Sequence, residues 1–364
     1  ILEYEKVIIE NATAVDDFFV IKDANVLEES IEKKKPLISN EQIAAFYECT
    51  SVSRRISLVE GVAGAGKSFT MEAVNEAFIR SGFKVMGTAL SWNAAGVLKA
   101  SAKIPDCRAI EGLVMAMEKA HNEGKEFFTS DTLLIVDEAG LVGLKNMAKI
   151  IKYTGLSKHK VKIVLTGDTK QLDPVSAGSA LSLMKSLIGS KVIKQIRRQF
   201  LTSHRNMVYA LMELRAGHAL NYLNQQNAIH FCKDNESTLN RMVVDFVNFK
   251  YNNPNKTSLI LARMNKDVQE LNQKVRKMYK KMGWIYGQET DDILVSDGTG
   301  KTGNARFAIV DLVSLCVNDK TIPVYDIPDG EENLPLERKT LNVTTWNRRP
   351  VSESGVFNRN TGTV

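Results

Sequence analysis

The sequence predicts an α/β protein built around a parallel sheet. From Ile38 to about Lys194, short runs rich in β-branched residues alternate with longer amphipathic runs, which indicates strands alternating with helices. The glycine-rich segment Gly61–Ser68 lies where one of these strands would pass into a helix. After Gly287, short β-rich runs alternate with turn residues. We therefore expect an α/β core followed by a small β module.

The composition is ordinary for a soluble globular protein with room for two domains and part of a third. Of the 364 residues, 44% are hydrophobic and 25% are charged. No stretch approaches 18 consecutive apolar residues and no basic-then-apolar leader is present, so we expect no membrane insertion. Because the sequence starts at Ile1 and ends in a strand-like run, we expect a piece of a longer chain.

The cysteines indicate the cellular compartment of the protein, and its charge indicates the kind of partner. Cys49, Cys107, Cys232 and Cys316 form no CxxC pair and have no histidine at ligand spacing, which argues against a zinc site or a disulfide framework and favours a cytoplasmic location. The net charge is +6, but residues 1–50 carry 11 acids and 5 bases, so the remainder carries +12. A basic body suggests a polyanionic partner, and a solvated surface is the alternative.

A leading segment and a first domain are predicted in the first half of the chain. Residues 1–36 are apolar and acidic and end in the run from Lys33 to Pro36, where lysines and a proline mark a boundary. The domain that follows is expected over residues 37–195. Its predicted strands are Ile56–Glu60, Lys84–Ala89, Thr132–Val136 and Lys162–Thr166, with Phe69–Ser81 and Ala94–Ser101 among the helices.

Residues 196–286 are predicted to be part of a second α/β domain. Its strands are expected at Ala228–Cys232 and Ser258–Ala262, before a helix from Lys266 to about Lys281. The apolar face of that helix comprises Val268, Leu271, Val275 and Met278, and the basic residues largely elsewhere are Lys274, Arg276, Lys277, Lys280 and Lys281. The basic side has two alternatives, contact with a phosphate backbone or an ordinary solvated surface.

Residues 287–364 are predicted to form an incomplete β module. Its β-rich runs are Ile293–Ser296, Phe307–Val317 and Thr340–Thr345, and clusters of Gly, Asp, Asn and Pro separate them. The sequence contains no internal repeat and no low-complexity tract.

The segment Gly61–Ser68 has the pattern of a phosphate-binding loop. Its glycines allow the backbone N–H groups to surround a triphosphate, Lys67 reaches the outer phosphates, Ser68 can bind Mg²⁺, and the helix that begins at Phe69 adds its dipole. A glycine-rich turn without a ligand is the less favoured alternative, because the flanking strand and helix are present. The predicted nucleotide-binding residues of this loop are Gly61, Gly64, Ala65, Gly66, Lys67, Ser68 and Phe69. With the alternating elements, the loop predicts a recombinase-A-like ATPase core.

Two further clusters follow predicted strands and indicate hydrolysis. Asp137 and Glu138 end an apolar run, where Asp137 can hold Mg²⁺ through its water shell and Glu138 can orient and deprotonate the attacking water. A residue that can deprotonate water favours a hydrolase over a kinase, because a kinase has to exclude water. The alternative is that the two acids lie at a strand end by chance. The cluster Gly167–Val175 follows another strand, and its Gln171 is placed to reach a γ-phosphate.

Taken in order, these motifs resemble those of superfamily 1 helicases, subgroup B. The matching segments are Gln42, Gly61–Ser68, Thr88–Ala95, Asp137–Gly140, Gly167–Val175 and Ile196–Gln199. The more specific stretches Asp137–Gly143, Pro174–Gly178 and Asp267–Asn272 are similar to the RecD-like motor of conjugative relaxase-helicases of the Ti-plasmid type. The resemblance covers roughly residues 36–285.

The resemblance implies ATP-driven, Mg²⁺-dependent 5′-to-3′ translocation and unwinding of DNA. Gln42 would contact the adenine, Ser68 and Asp137 the metal, and Arg198 the γ-phosphate from the second domain, because an arginine across a cleft can sense hydrolysis. A structural salt bridge is the role expected of the neighbouring Arg197. The implied catalytic residues are Lys67, Glu138, Gln171 and Arg198.

DNA contacts are expected from the segment that begins at Thr88. Thr88, Ser91 and Asn93 match positions that hydrogen-bond phosphates in the family, and single-stranded DNA is the implied partner. Trp92 departs from the small residue that is usual there, and it either stacks on a base or packs against the sheet. The isolated histidines His204 and His218 are not expected to be catalytic.

The end of the sequence departs from the family. Two later motifs of the second core domain are absent, and Val310 and Leu312 replace a glycine and a basic residue at the start of an SH3-like insertion. We therefore expect a partial SH3-like insertion in residues 287–364 and nucleotide binding with little turnover from a monomeric chain. The alternatives are a RecD-like repair or phage helicase, and a non-hydrolysing module that docks on DNA or on a type IV secretion coupling protein.

Overall fold

A six-stranded sheet forms the core of the first compact unit, Ile1–Gln226, of the computed structural model. The structure describes residues 1–12, 20–169, 171, 174, 178–197, 201–287 and 289, and six later strands. The strands of this sheet are β1 (Ile56–Gly61), β2 (Lys84–Ala89), β3 (Asp106–Ala109), β4 (Thr132–Val136), β5 (Val161–Gly167) and β6 (Lys191–Ile193). Their order is β3-β2-β4-β5-β1-β6, and every neighbouring pair is parallel. The predicted α/β fold with a parallel sheet is confirmed.

Ten helices accompany this sheet among the described residues of the first compact unit, Ile1–Gln226. They are α1 (Leu2–Ala12), α2 (Ala24–Glu32), α3 (Asn40–Thr50), α4 (Lys67–Arg80), α5 (Trp92–Ala102), α6 (Ile110–Asn122), α7 (Leu144–Gly155), α8 (Ala180–Ile188), α9 (Thr202–Met212) and α10 (Ala216–Gln225). Helices α1, α6, α7 and α8 supply the apolar cluster on one face of the sheet, and α2 to α5 supply the cluster on the other.

The central strands β1, β4 and β5 are largely apolar and buried along their whole length because both faces of the sheet are covered. In β4, Leu134 and Val136 belong to one cluster, and the alternate residues Leu133 and Ile135 belong to the other. All five residues of β4 are buried. This arrangement explains why the four strands predicted from continuous apolar runs are present, with bounds that differ by at most one residue.

The acidic leading segment is part of the first unit, and its helices α1 and α2 pack against the core of that unit. Ile8 and Ala12 of α1 are fully buried in the cluster that α7 and α8 share. Helix α2 faces α4, and a guanidinium nitrogen of Arg80 in α4 lies 2.5 Å from Oε2 of Glu29 in α2. Ion pairs of this kind offset part of the acidic charge of the segment. Helices α1 and α2 pack on opposite faces of the sheet.

The second compact unit, Asn227–Val364, contains the helix pair α11 (Asn235–Asn252) and α12 (Asn265–Lys281). The predicted apolar face of α12 is confirmed for Leu271, Val275 and Met278, which pack against α11, while Val268 is 38% exposed. The basic side of α12 is partly neutralised, since Lys274 pairs with Glu270, and Arg276 and Lys280 pair with Glu289.

The strands predicted at Ala228–Cys232 and Ser258–Ala262 are wrong. Both segments are described as irregular backbone. Ile260 and Ala262 pack against the helix pair, but Leu259 and Leu261 are 79% and 78% exposed. A strand requires a neighbour for its backbone groups, and no described segment pairs with either stretch.

Six short strands are described after residue 290, all antiparallel. They are β7 (Ile293–Ser296), β8 (Thr302–Ala305), β9 (Leu312–Ser314), β10 (Thr321–Val324), β11 (Asn347–Pro350) and β12 (Thr361–Thr363). They pair as β7 with β8, β9 with β12, and β10 with β11. The predicted run Ile293–Ser296 is confirmed, Phe307–Val317 contains β9, and Val310 and Thr340–Thr345 lie outside the described residues. The SH3-like assignment and the predicted domain bounds stay predictions.

Within the described part of the chain, no helix combines the length and the apolar character that are needed to cross a membrane.

We predict that Ile8→Ala lowers the free energy of unfolding by about 2–5 kcal/mol, because it leaves a cavity under α1. The neighbouring Ile9 is 46% exposed, and Ile9→Ala is the matched control, with an expected change within about 0.5 kcal/mol. Urea denaturation followed by circular dichroism measures both values. Equal losses from the two variants would contradict the packing of α1 on this core.

Candidate nucleotide-binding site

The glycine-rich loop connects β1 to α4 and takes a conformation that only glycine adopts without cost. Gly64 and Gly66 have φ angles of 82° and 85°, in the left-handed region. Gly66 is the N-cap of α4 and has no side chain to cap it. The first N–H groups of α4 therefore face the loop without a side-chain cap, which is the usual arrangement of an anion-binding helix N-terminus.

Lys67 is folded back over the start of the loop. Its side chain is buried, and Nζ donates a hydrogen bond of 2.6 Å to the carbonyl oxygen of Gly61. A Cβ atom on Gly61 would lie 2.9 Å from Cγ of Lys67, so the absence of a side chain at residue 61 makes room for the lysine stem. The ammonium is thus held within the loop by a neutral carbonyl.

Gln42 supports the loop from α3. It is 1% exposed and closes a capping box, in which the Ser39 N–H donates to Oε1 of Gln42 over 2.9 Å. Its Nε2 donates to the carbonyl oxygens of Ala65 and Gly66, over 3.2 and 3.3 Å. The predicted contact with adenine stays a prediction, and in this structure the amide of Gln42 is engaged by the backbone on both sides.

The two acids lie directly after β4. The Asp137 carboxylate accepts a hydrogen bond from the Thr166 hydroxyl of β5, and the Asp137 N–H donates to the Thr88 carbonyl of β2 over 2.9 Å. Glu138 has a φ angle of 49°, which is left-handed backbone that costs a non-glycine residue roughly 1–2 kcal/mol. Such strain is typical of functional sites. Both side chains are half-buried.

The ends of β4 and β5 pack backbone against backbone. A Cβ atom on Gly167 would lie 2.9 Å from Cδ2 of Leu181 and 3.1 Å from the backbone nitrogen of Gly140. On Gly140 it would lie 3.1 Å from the carbonyl oxygen of Asp168. These two glycines allow the acidic segment after β4 and the Gly-Asp turn after β5 to approach closely.

Because β5 lies between β1 and β4 and all three are parallel, their carboxyl ends meet at one edge of the sheet. The structure thereby brings together the phosphate loop, the acids and the start of the third cluster. Gln171 is exposed, and its N–H donates to the Asp168 carbonyl over 3.3 Å. Its contact with a γ-phosphate stays a prediction.

The segment after β6 is attached to the loop as well. The Arg197 N–H donates to the Gly64 carbonyl over 2.9 Å, and the guanidinium of Arg197 donates to the carbonyl of Leu37, where we expected a salt bridge. Glu41 accepts from the backbone N–H groups of Lys194 and Gln195. Arg198 lies outside the described residues, and its role stays a prediction.

Three of the four predicted DNA contacts lie at the exposed N-terminus of α5. Ser91 is its N-cap and accepts from the Ala94 N–H, Asn93 is exposed, and Trp92 is 50% exposed. The Trp92 ring also lies beside α6, since a Cβ on Gly112 would be 3.8 Å from it. Thr88, in contrast, is fully buried, and its hydroxyl donates to the Arg108 carbonyl.

Glu60 is a residue of this site that sequence reasoning missed. It is the last side chain before Gly61, is 5% exposed, and accepts hydrogen bonds from Ser190, Thr169 and Lys185. Burial raises the pKa of its carboxyl, but the hydrogen bonds from Ser190, Thr169 and Lys185 outweigh it, so that the pKa lies below its ordinary value. The available signal was a charged residue at the end of an apolar strand.

Comparison with known proteins places the chain in a family. A family model described as an AAA domain (AAA_30) matches residues 37–234, which is more than half of the chain. The chain therefore belongs to this family of AAA domains. The matched range begins just before α3 and includes the phosphate loop, the acids and the segment after β6.

Relatives of this chain carry the names of conjugal transfer proteins. The probable conjugal transfer protein TraA of Sinorhizobium fredii is 30% identical over 305 residues, which cover 82% of this chain and 26% of that protein. Conjugal transfer protein TraA of Agrobacterium fabrum is 33% identical over 248 residues, with 68% and 22% covered. The chain thus spans about a quarter of the length of these relatives. The resemblance to conjugative transfer proteins is confirmed.

The crystal structure of Pif1 helicase from Candida albicans aligns with a TM-score of 0.43 and 17% identity, over 86% of this chain and 78% of that one.

Gly66 and Gly82 provide a test of the loop geometry, because both have a φ angle of 85°. A Cβ on Gly66 would lie 2.5 Å from Nε2 of Gln42, whereas nothing lies within 4 Å of one on Gly82. We predict that Gly66→Ala and Gly82→Ala each lose roughly 1–2 kcal/mol of stability to backbone strain. Only Gly66→Ala should also weaken the binding of a fluorescent ATP analogue, by about tenfold or more, or roughly 1.4 kcal/mol.

Fluorescence titration and urea denaturation measure the two quantities for each variant. If both variants bind the analogue as the unmodified chain does, the contact between Gln42 and the loop has no part in nucleotide binding.

Proposed function

We propose that this chain is the ATP-binding motor segment of a conjugative DNA-transfer protein that translocates 5′ to 3′ along DNA and unwinds it. The observation that carries the proposal is the convergence of three motifs at one sheet edge: the glycine loop, the acids Asp137 and Glu138, and the turn at Gly167 and Asp168. The motif order favours a helicase of superfamily 1, subgroup B. The names of the relatives favour conjugative transfer over repair.

The residues of the edge fit ATP and Mg²⁺. The left-handed glycines and the N-terminus of α4 form a cradle for phosphates, and Lys67 can exchange the Gly61 carbonyl for a phosphate oxygen, which is the stronger, charge-assisted partner. Ser68 and Asp137 offer the oxygen ligands that Mg²⁺ prefers. When bound, Mg²⁺ neutralises the charge that develops on the phosphates.

The protein residues have distinct roles in the proposed hydrolysis. The Thr166 hydroxyl fixes one carboxylate oxygen of Asp137, which leaves the other oxygen to the metal site. Glu138 orients the attacking water and takes its proton. Gln171 and Arg198 contact the γ-phosphate.

Single-stranded DNA is the proposed partner at the N-terminus of α5. The exposed Ser91 and Asn93 bind phosphates there, and Trp92 stacks on a base through its exposed ring face. Thr88 acts indirectly, because its buried hydroxyl fixes the carbonyl of Arg108 beside this helix. We further propose a monomer that acts in the cytoplasm, where ATP and transferred DNA meet.

The second candidate is a module that docks on DNA or on a secretion coupling protein without hydrolysis. Slow ATP hydrolysis alone does not distinguish this module from a motor. The module would be favoured if hydrolysis were slow and DNA binding were also independent of nucleotide. The relatives' conjugal transfer names are compatible with both.

We predict that Lys67→Ala weakens the binding of a fluorescent ATP analogue by about tenfold to hundredfold, because one charge-assisted hydrogen bond contributes roughly 1.5–3 kcal/mol. Lys84→Ala, which changes an exposed lysine of β2, is the matched control and should bind as the unmodified chain does. Equal affinity of all three proteins would overturn the assignment of this loop as the nucleotide site.

We predict that Glu138→Gln lowers the rate of ATP hydrolysis by about 10²- to 10⁴-fold while it preserves nucleotide affinity, because only the general base is lost. Single-turnover assays with protein in excess over radiolabelled ATP, with and without oligo-dT, detect even slow hydrolysis. Glu111→Gln, an exposed residue of α6, is the control. Hydrolysis that persists in Glu138→Gln would exclude its role as the base.

We predict that Trp92→Ala weakens oligo-dT binding by roughly 1–3 kcal/mol, the usual contribution of one stacked base. The dependence of affinity on salt should stay unchanged, because stacking neutralises no phosphate. Val97→Ala removes an apolar side chain that is 67% exposed on the same helix and serves as the control. Fluorescence anisotropy across salt concentrations measures both effects, and equal affinities of the two variants would assign Trp92 a packing role.

A further inference from the structure

Glu60 is a buried residue of the site to which the proposed hydrolysis assigns no role. In the β ladder it lies beside Gly167 of β5 on one side and Val192 of β6 on the other. Its Oε2 accepts from the Thr169 hydroxyl over 2.5 Å and from Nζ of Lys185 over 3.0 Å. Its Oε1 lies 2.9 Å from the same Nζ and accepts from the Ser190 hydroxyl. Three different segments therefore converge on one buried carboxylate.

Burial of a carboxylate is energetically unfavourable compared with burial of an apolar side chain of the same size. Removal of the carboxylate from water is unfavourable unless every lone pair is matched, and an apolar side chain of similar volume often stabilises a fold equally well. Here each oxygen has two partners within hydrogen-bond distance. Packing of the strand alone does not require this arrangement.

The partners of Glu60 connect two functional segments. On the backbone side, Glu60 directly precedes Gly61, whose carbonyl oxygen holds Nζ of Lys67. The side chain of Glu60 accepts a hydrogen bond from Thr169. Thr169 lies in a turn that is closed by the hydrogen bond from the Gln171 N–H to the Asp168 carbonyl. One residue thus joins the phosphate loop to the turn that presents Gln171.

We propose that Glu60 is a positioning residue that holds the Gln171 turn at a set distance from the phosphate loop through the Thr169 hydroxyl. The inference rests on the proposed ATPase function and adds a residue to it. In this role Glu60 acts through Thr169 and makes no direct contact with the nucleotide. It limits the positions that Gln171 occupies when the γ-phosphate is bound, and a displacement of about 1 Å at such a contact is enough to cost up to about a hundredfold in rate.

The chain offers a matched pair of variants for the test. Thr169→Val and Ser190→Ala each remove one hydroxyl donor from the same carboxylate, but only Thr169 belongs to the Gln171 turn. We expect Thr169→Val to lower the single-turnover rate of ATP hydrolysis by about tenfold to hundredfold, with the affinity for the ATP analogue within about twofold. Ser190→Ala should change both quantities by less than about twofold. Glu60→Gln should behave as Thr169→Val does.

Hydrogen exchange supplies a readout that does not depend on turnover. Binding of the ATP analogue should protect backbone amides in residues 168–173, and this protection should be lost in Thr169→Val and retained in Ser190→Ala. Circular dichroism identifies any variant that fails to fold, and Thr169→Val keeps the test valid if Glu60→Gln is unfolded.

The outcomes separate the inference from the proposed function. If the unmodified chain binds no ATP analogue, the proposed function fails and the inference fails with it. If it binds and Lys67→Ala does not, while Thr169→Val and Ser190→Ala give equal rates and equal protection, the inference alone is overturned and Glu60 has a purely structural role.

Discussion

The parallel ladder of β1, β5 and β4 is the constraint on which the rest of the first unit depends. Its register aligns Glu60 with Gly167 and Val136 with Leu165, so the carboxyl ends of the three strands lie on the same side of the sheet, within a few residues of one another. Side chains alternate between the two faces, and a slip of one residue would exchange every buried contact. Residues separated by about a hundred positions in the sequence are therefore brought to one edge by backbone pairing, before any side chain of the site makes a contact.

Much of this arrangement was predictable from the sequence, and the exceptions share a cause. Continuous apolar runs predict β1, β2, β4 and β5 because both faces of a parallel sheet are buried. The segments Ala228–Cys232 and Ser258–Ala262 have strand composition without a described partner, since strand formation depends on pairing as much as on residue type. The missed β3 and β6 are short, and only one residue of each is buried, so neither forms a continuous apolar run.

The same distinction applies to the site. The spacing of Gly61–Ser68 and the pair Asp137 and Glu138 are local patterns, so a motif is enough to predict them. Tertiary contacts, in contrast, determine that Thr88 is buried, that Gln42 reaches the loop carbonyls and that Glu60 binds three segments. No local pattern encodes these contacts, because the partners come from elements far apart in the chain.

Two carbonyl groups of the phosphate loop accept hydrogen bonds from Gln42 of α3, a residue outside the loop. In a trans peptide the C=O and N–H groups point in opposite directions. Nε2 of Gln42 binds the carbonyls of Ala65 and Gly66, which turns the N–H groups of Gly66 and Lys67 away from α3. These are donors that a phosphate would use. Both N–H groups of the Gln42 amide are used in these bonds, so a hydrogen bond donated to adenine would have to replace one of them, whereas among the described residues Oε1 accepts only from Ser39 and retains a second lone pair.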